Sequence, residues 1–441
     1  MKTIQSALAG FHRHCLREPD LTRRSCRAAR QGLPGLHALF GRHPTPFSPT
    51  PWLRSPEFFR EMSALCRNLS DILEQAGRMA LEDEDLLDAY QFPAVFQEIL
   101  RIDPGYRRLA PVLRLDGHFV RGVFRIVETN ADGSAGMNDS NAIERALLAT
   151  PLYSYFADRG PIESLEMVDS LARMLARYSR VSGDRGATCV GILDRRGIST
   201  ASEFVAVQQA LRRLGQNAVL VTPEDLAVRD GLRARGTRIT LVYRRLVTAD
   251  AFQMWSSLGP LLEAYRAGAI RMVGSFRSEL LHSKAVLAIM RDSHVRARIG
   301  PAGRRLIDRH VPPAFLLTPA SAERTVSARR RWILKPLDSY GSRGVFVGNT
   351  LTRKSWKKAL AHALAAGRYL LQEYVPAPRE PVLRIVDNRP KISMEMTSVG
   401  FFIYDGVMAG PYVRSGPAHP LSISYGAVTR PGFRFRAWKR A

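Results

Sequence analysis

Arg331-Trp-Ile-Leu-Lys335-Pro-Leu-Asp-Ser-Tyr-Gly341-Ser342-Arg-Gly344-Val-Phe-Val-Gly348 sets two short apolar runs, 332–334 and 345–347, on either side of a loop whose glycines stand three residues apart. Bounded apolar runs joined by such a loop predict a pair of strands. Glycines tolerate positive φ, so the loop's backbone N–H groups can converge on an anion, and an ammonium at the end of the first strand is a point charge suited to phosphate. A P-loop would place its Lys after the glycines and run on into a helix, whereas Lys335 precedes the loop and the chain returns to a strand. Two readings stay open for this stretch by itself: a cover for phosphates, or an ordinary hairpin with a loose turn and a surface Lys.

Downstream, a helix over 351–366 leads to a strand over 368–375 that carries Gln372, Glu373, Tyr374 and Val375 and is stopped by Pro376 and Pro378. Glu380, just beyond the stop, is placed to accept hydrogen bonds from a sugar diol. Strands are also expected over 391–396, 399–404 and 407–414. Far upstream, 112–118 and 123–130 read as two more strands joined by a turn. In a hairpin, Asp116 and Glu128 can fall side by side, and Asn130 follows Glu128 onto the same face by the period of two. Two carboxylates and an amide oxygen are hard ligands of the kind Mg²⁺ takes when it also holds phosphates. A solvated polar hairpin end is the other reading.

Between these regions strands over 187–193, 218–221, 239–243 and 270–273 alternate with helices over 202–214, 223–230, 255–267 and 279–291, which predicts a parallel α/β unit. The helix 279–291 would carry His282 and Lys284. No Gly-x-Gly-x-x-Gly follows any of these strands, so a dinucleotide site has no support. Nearer the N-terminus, the Pro-rich run 43–51 reads as an extended arm after a short helix, and 55–81 as a long amphipathic helix capped by Ser55. Shorter helices are expected over 82–88, 92–101 and 141–149, and a longer one over 162–178.

The 441 residues, 45% apolar and 24% charged, describe an ordinary soluble composition, with no apolar run of about 18 residues able to span a bilayer. Four cysteines, Cys15, Cys26, Cys66 and Cys189, have neither disulfide-framework nor metal-ligand spacing, which fits a reducing cytoplasm. The formal charge of +25 suits an anionic partner, but it is spread along the chain and is mostly Arg, which argues against a nucleic-acid interface. With only eight Lys in the chain, Lys284 and Lys335 on apolar segments stand out.

Taken together, Lys335 before the glycine loop, the strand ending Gln372-Glu373-Tyr374-Val375, Glu380 after it, Asp405-Gly406 leading to Arg414, and Arg114-x-Asp116 with Glu128-x-Asn130 resemble the ATP-grasp superfamily of ligases. The Glu-x-Asn strand comes before the glycine loop rather than after it, which resembles the circularly permuted, glutathionylspermidine synthase-like group. The resemblance covers about residues 52–430. It implies a mixed α/β ATP-grasp fold with an N-terminal arm and helical region (1–105), a metal-binding hairpin (106–150), a parallel α/β pre-ATP-grasp-like domain (151–320) and a nucleotide-binding lobe with the C-terminal strands (321–441). It implies ATP and Mg²⁺ as cofactors: Lys284 and Lys335 on the phosphates, Gly341, Ser342 and Gly344 closing over them, and Gln372 to Val375 on adenine. Glu380 would bind ribose, Asp116, Glu128 and Asn130 the metal, and Arg114 and Arg414 the transferring phosphoryl. The implied reaction joins a small-molecule or peptide carboxylate to an amine through an acyl phosphate. A kinase of the same fold, or an inactive relative binding a polyanion through its basic surface, are the alternatives. At 422–426 the chain reads Ser-Ile-Ser-Tyr-Gly, where the family more often has Asn before a Gly pair.

Overall fold

The structure, a computed structural model, describes residues 2–180, 188–338 and 343–436. Its largest sheet is antiparallel and draws on both ends of the chain. The strands run in the order Val428–Arg430, Val407–Gly416, Arg389–Tyr404, Val112–Val120, Val123–Asn130, with Arg379–Val386 also pairing Arg389–Tyr404. One long strand makes this possible. The first part of Arg389–Tyr404 pairs back on Arg379–Val386, and its later part, from Val399, takes the N-terminal strand as neighbour, with Phe401 opposite Leu115 and Ile403 opposite Leu113. The sequence suggests two strands here, broken at Thr397-Ser398. The structure runs through, because buried Thr397 exchanges a 2.9 Å hydrogen bond with Ser415 of the next strand and needs no turn to satisfy its hydroxyl.

The run 399–404 is continuously apolar because both its faces are covered. Phe401 and Ile403 join Leu69, Leu73 and Ala76 of the helix Pro56–Glu82, while Phe402 and Tyr404 join Met167 and Leu171 of the helix Met167–Arg180. Each such aromatic or aliphatic side chain removed from water contributes about 1.5–3 kcal/mol. Behind the second helix lies the parallel sheet, in the order Arg271–Val273, Leu241–Arg244, Cys189–Leu193, Asn217–Val221. The small sheet, Ala314–Leu316, Tyr369–Glu373, Trp332–Pro336, Phe346–Val347, has one face under the helix Arg353–Ala366. There Leu334 and Leu371, directly paired, pack against Trp356 and Leu360. Ile333, Lys335 and Gln372, out of phase with them, point to the other face, where the cavity described below lies.

Three further expectations need correction. The region 223–230 is a single turn, Pro223–Asp225, followed by a strand, Leu226–Val228, that pairs with Leu232–Ala234. A capping box closes the turn, with Asp225 accepting from the Thr222 N–H at 2.9 Å, and Asp230-Gly231, both at positive φ, is the dipeptide of a tight hairpin. The helix expected over 279–291 is broken at Ser283 (ψ 132°) into Glu279–His282 and Ala285–Ile289. The Lys284 N–H bonds to the Leu337 carbonyl at 2.9 Å rather than to its own helix. The N-terminus holds two helices, Lys2–Arg17 and Pro19–Gly32, and the Pro-rich arm after them is packed rather than free. Proline leaves few N–H groups to satisfy, and buried Ser48 and Thr50 bond to both polar groups of Leu383 at 2.6 and 2.9 Å. Among the described residues no helix is long and apolar enough to cross a membrane.

Candidate active site

A cavity of about 380 Å³ opens between the small sheet and the 112–130 hairpin. The hairpin register sets Asp116 opposite Glu128 and Arg114 opposite Asn130, with a bulge after Asp116. Opposite residues of an antiparallel pair share a face, so both carboxylates reach the cavity. Asp116 is 2% exposed and is clamped by cations: Arg114 meets both its oxygens at 2.6 and 2.9 Å, and Arg414 meets Oδ2 at 2.8 Å. The Asn130 amide donates to the same oxygen at 3.2 Å, leaving its own carbonyl oxygen for another partner. Gly400 pairs with Asp116 across the sheet, and a Cβ there would lie 2.3 Å from Asp116 Oδ1. The position therefore requires glycine.

Arg114 and Asn130 stand beside Asp116 without lining the cavity. The third hydrogen bond of Arg114 goes to the Ala135 carbonyl at 2.7 Å, so its guanidinium holds Asp116 from the side. Arg414 does line the cavity.

One lysine pairs with Glu128 and the other lies close enough to act on its charge. Lys284, swung in by the break at Ser283, approaches Glu128 Oε1 at 2.8 Å with its side chain 3% exposed. Lys335 donates to the Val127 carbonyl and to Gln372 Oε1, both at 2.8 Å. Burial alone would raise the Glu128 carboxyl, but Lys284 and Lys335 overcome it and hold it at about 2. Burial pulls Lys335 down to about 8, against the opposing attraction of Glu128. Gln372 spends its oxygen on Lys335, and its buried Nε2 has no hydrogen-bond partner among the described residues. A buried donor left so costs about 1–3 kcal/mol, which a ligand oxygen could recover.

Past Gln372 the strand edge turns along the cavity with Glu373, Tyr374 and Val375 on its wall. The Val375 carbonyl accepts a hydrogen bond from His118 Nδ1 at 2.9 Å. A carbonyl can only accept, so Nδ1 carries the proton, and burial lowers this imidazole to about 4, which keeps it neutral. His118 Nε2 is then an acceptor. The ring of His419 lies 6.1 Å from that of His118 and 6.2 Å from that of Tyr374, and with Ser398 these side chains complete the wall.

The expectation for Glu380 does not hold geometrically. Its carboxylate pairs with Arg430 at 2.6 Å and Arg54 at 3.6 Å, and it is not part of the cavity wall. Two guanidiniums from distant segments claim the carboxylate that a diol was expected to take. Gly341 and Ser342 lie outside the described residues. Gly344, at φ 71°, packs against Pro336 and Tyr369, whose atoms a Cβ would meet at 2.9 Å. Sequence reasoning missed His118, Ser398 and His419. His118 follows Asp116 by two residues along a strand, which was a usable signal. For His419 there was none.

Among the described residues no three His, Cys, Asp or Glu side chains are arranged to hold a metal ion. Two carboxylates and an amide oxygen fit the pattern of Mg²⁺, which binds through one or two carboxylates and completes its shell with water and substrate phosphate. Four cations, Arg114, Arg414, Lys284 and Lys335, face two carboxylates, so the site carries excess positive charge suited to a net-negative magnesium–nucleotide complex.

No family model matches the chain, and no curated protein matches it. Among solved structures it is similar to a glutathione synthetase-like effector from Globodera pallida in apo form, at 13% identity and a TM-score of 0.65, over 94% of this chain and 97% of that one. A putative gamma-glutamylcysteine synthetase from Methylobacillus flagellatus matches at 10% identity over 83% and 88% of the two chains, with a TM-score of 0.44. A D-alanyl-alanine synthetase A from Vibrio cholerae matches at 15% identity over 56% and 74%, with a TM-score of 0.30. The last two carry no argument at those scores, and the first is a likeness of fold. With the first covering nearly the whole of both chains, the protein shares the fold of that glutathione synthetase-like effector.

Proposed function

We propose that the chain is an ATP- and Mg²⁺-dependent ligase that joins a carboxylate to an amine. One observation carries the reading: two lysines and Arg414, from three distant segments, meet Asp116 and Glu128 on the wall of one cavity that also presents a strand edge. Lys284 and Lys335 would hold nucleotide phosphates, with Gln372 Nε2 as a further donor. The backbone of Tyr374 and Val375 would take the base. Gly341, Ser342 and Gly344 would close over the phosphates and exclude water. Asp116, Glu128 and Asn130 would hold Mg²⁺, whose chemistry is to neutralise charge on the bridged phosphates. The arrival of the hairpin ahead of the glycine loop supports the permuted order.

The chemistry asks little of side-chain bases. A carboxylate oxygen attacks the γ-phosphorus and ADP leaves; the amine nitrogen then attacks the acyl carbon, the C–O bond to phosphate breaks, and the spare proton passes to solvent. Arg414 would neutralise the transferring phosphoryl, and Arg114 would act through Asp116 by fixing its orientation. Such preorganised charge is commonly the largest part of catalysis in phosphoryl transfer. The test is ADP release with ATP and Mg²⁺ across a panel of acids and amines, with calorimetry of nucleotide binding beside it. A folded sample that binds no ATP at millimolar concentration removes the proposal.

A further inference from the structure

A second, smaller cavity of about 90 Å³ lies where three chain segments leave the first one. Asp132 comes two residues after Asn130, His282 two before Lys284 and Asp338 three after Lys335, and all three line it. It therefore sits behind the end of the site at which the lysines and carboxylates meet. Its fixed charges cancel in pairs. Asp132 is held by Arg244 at 2.7 Å and Asp338 by Arg368 at 3.0 Å, while burial lowers His282 and keeps it neutral. Glu279 is the exception. It is 3% exposed, it lines the cavity, its Oε2 has no hydrogen-bond partner among the described residues, and Arg244, the cation that attracts it, is engaged by Asp132. Opposite stand Phe92, Phe96 and Phe252, with ring centroids 5.0 Å apart for the first pair and 5.4 Å for the second.

We propose that this cavity is an amine subsite, taking the ammonium group of a small amine against the Glu279 carboxylate and the phenylalanine rings. A buried carboxylate is stabilised by a cation placed against it, and aromatic faces attract cations while excluding water. Burial and the neighbouring Asp132, which shares a hydrogen bond with it, push Glu279 well above the usual carboxylate range against the opposing attraction of Arg244, so it is held protonated and an arriving ammonium favours release of that proton to solvent. The size admits the end of an alkylamine and little more. That this amine is the ligase nucleophile rests on the reading of the first cavity as the nucleotide site.

The test uses the full chain without nucleotide. Ethylammonium chloride is titrated by saturation-transfer NMR, with ethanol as the uncharged isostere, and ATP–Mg²⁺ binding is followed separately by calorimetry. Ethylammonium should saturate where ethanol does not, and Glu279→Gln should weaken it at least about tenfold, the cost of losing a charged hydrogen-bond partner. Ala249→Leu, which adds bulk at an exposed position on the rim, should weaken it as well and decides the matter if the first variant does not fold. Neither variant should change ATP affinity. Ethylammonium binding that survives both changes, equal binding of ethanol, or no binding to the folded wild type overturns the subsite. If ethylammonium behaves as stated and ATP does not bind, the nucleotide reading falls and the amine site stands. If ATP binds and ethylammonium does not, the amine site falls and the nucleotide reading stands.

Discussion

Asp116 and Asp132 lie near each other in sequence, are both buried and are each paired with arginine, yet their surroundings differ in kind. Asp132 meets Arg244, whose side chain is 0% exposed and whose other donors go to the carbonyls of Gly274 and Leu246, both at 2.5 Å. Asp116 meets Arg114 and Arg414, and Arg414 is 18% exposed on a cavity wall, its Nε without a partner among the described residues. In the first pair the arginine is enclosed by backbone carbonyls, and the pair holds the α/β unit to the end of the hairpin. The second leaves a donor facing the cavity, so under the proposed function it would exchange partners on binding an anion and a metal. Ion pairs of one composition thus serve structure or chemistry according to what surrounds their remaining donors.

The largest expected effect tests the sealed side. Arg244→Met should cost about 3–5 kcal/mol of stability, since it leaves Asp132 buried without its cation. Arg414→Met should cost less than about 1 kcal/mol, because Arg114 remains on Asp116 and the cavity admits water. Urea unfolding of both variants measures the contrast, and equal losses would abolish it. Next comes Glu128→Gln, which should lower turnover by on the order of 100-fold or more with the fold kept, since it removes a charge that matters as negative charge shifts in phosphoryl transfer. Turnover near wild type would take Glu128 out of the site.

Lys335→Ala should weaken ATP binding by about 1–3 kcal/mol, the range for a charge-assisted phosphate contact, as read by calorimetry. A smaller change is expected from His118. His118→Asn keeps a donor near the place of Nδ1, whereas His118→Leu removes it and frees the Val375 carbonyl. The leucine variant should raise KM for ATP several-fold, about 1 kcal/mol, with kcat little changed, and the asparagine variant should recover most of it. Equal KM values would deny His118 a part in positioning the strand edge.

The smallest effect is a pH slope. Burial lowers His118 and His12 to about 4 from an ordinary 6.5, so between those values the unfolded chain binds more protons than the folded one. Their contribution is complete above about pH 6.5 and is lost as pH falls toward 4. Urea midpoints across that window should decline less steeply in His118→Asn than in wild type. Parallel declines would show that this imidazole is already accessible to protons.

Much of the site was legible because its signals are local. The period of two put Asp116 and Glu128 together once 112–130 was read as a hairpin, and an apolar run broken by Lys335 and two glycines marked the small sheet. The same logic failed at Glu380, where proximity to Gln372 along the chain suggested a ligand contact. Arg430, fifty residues on, and Arg54, near the N-terminus, take that carboxylate instead. It also failed at 279–291, since helical periodicity cannot register that the Leu337 carbonyl captures the Lys284 N–H.

The sequence alone therefore determined most of the strands, the 112–130 hairpin and the charges available, because alternation, turn residues and spacing act over a few positions. Only the tertiary structure decided which charges meet. Lys284 reaches Glu128 across 156 positions, Arg414 reaches Asp116 across 298, and His118 reaches Val375 across 257. Pairing at such separations depends on the desolvation of each group in the packed interior, where a buried charge must find a partner whatever its distance along the chain.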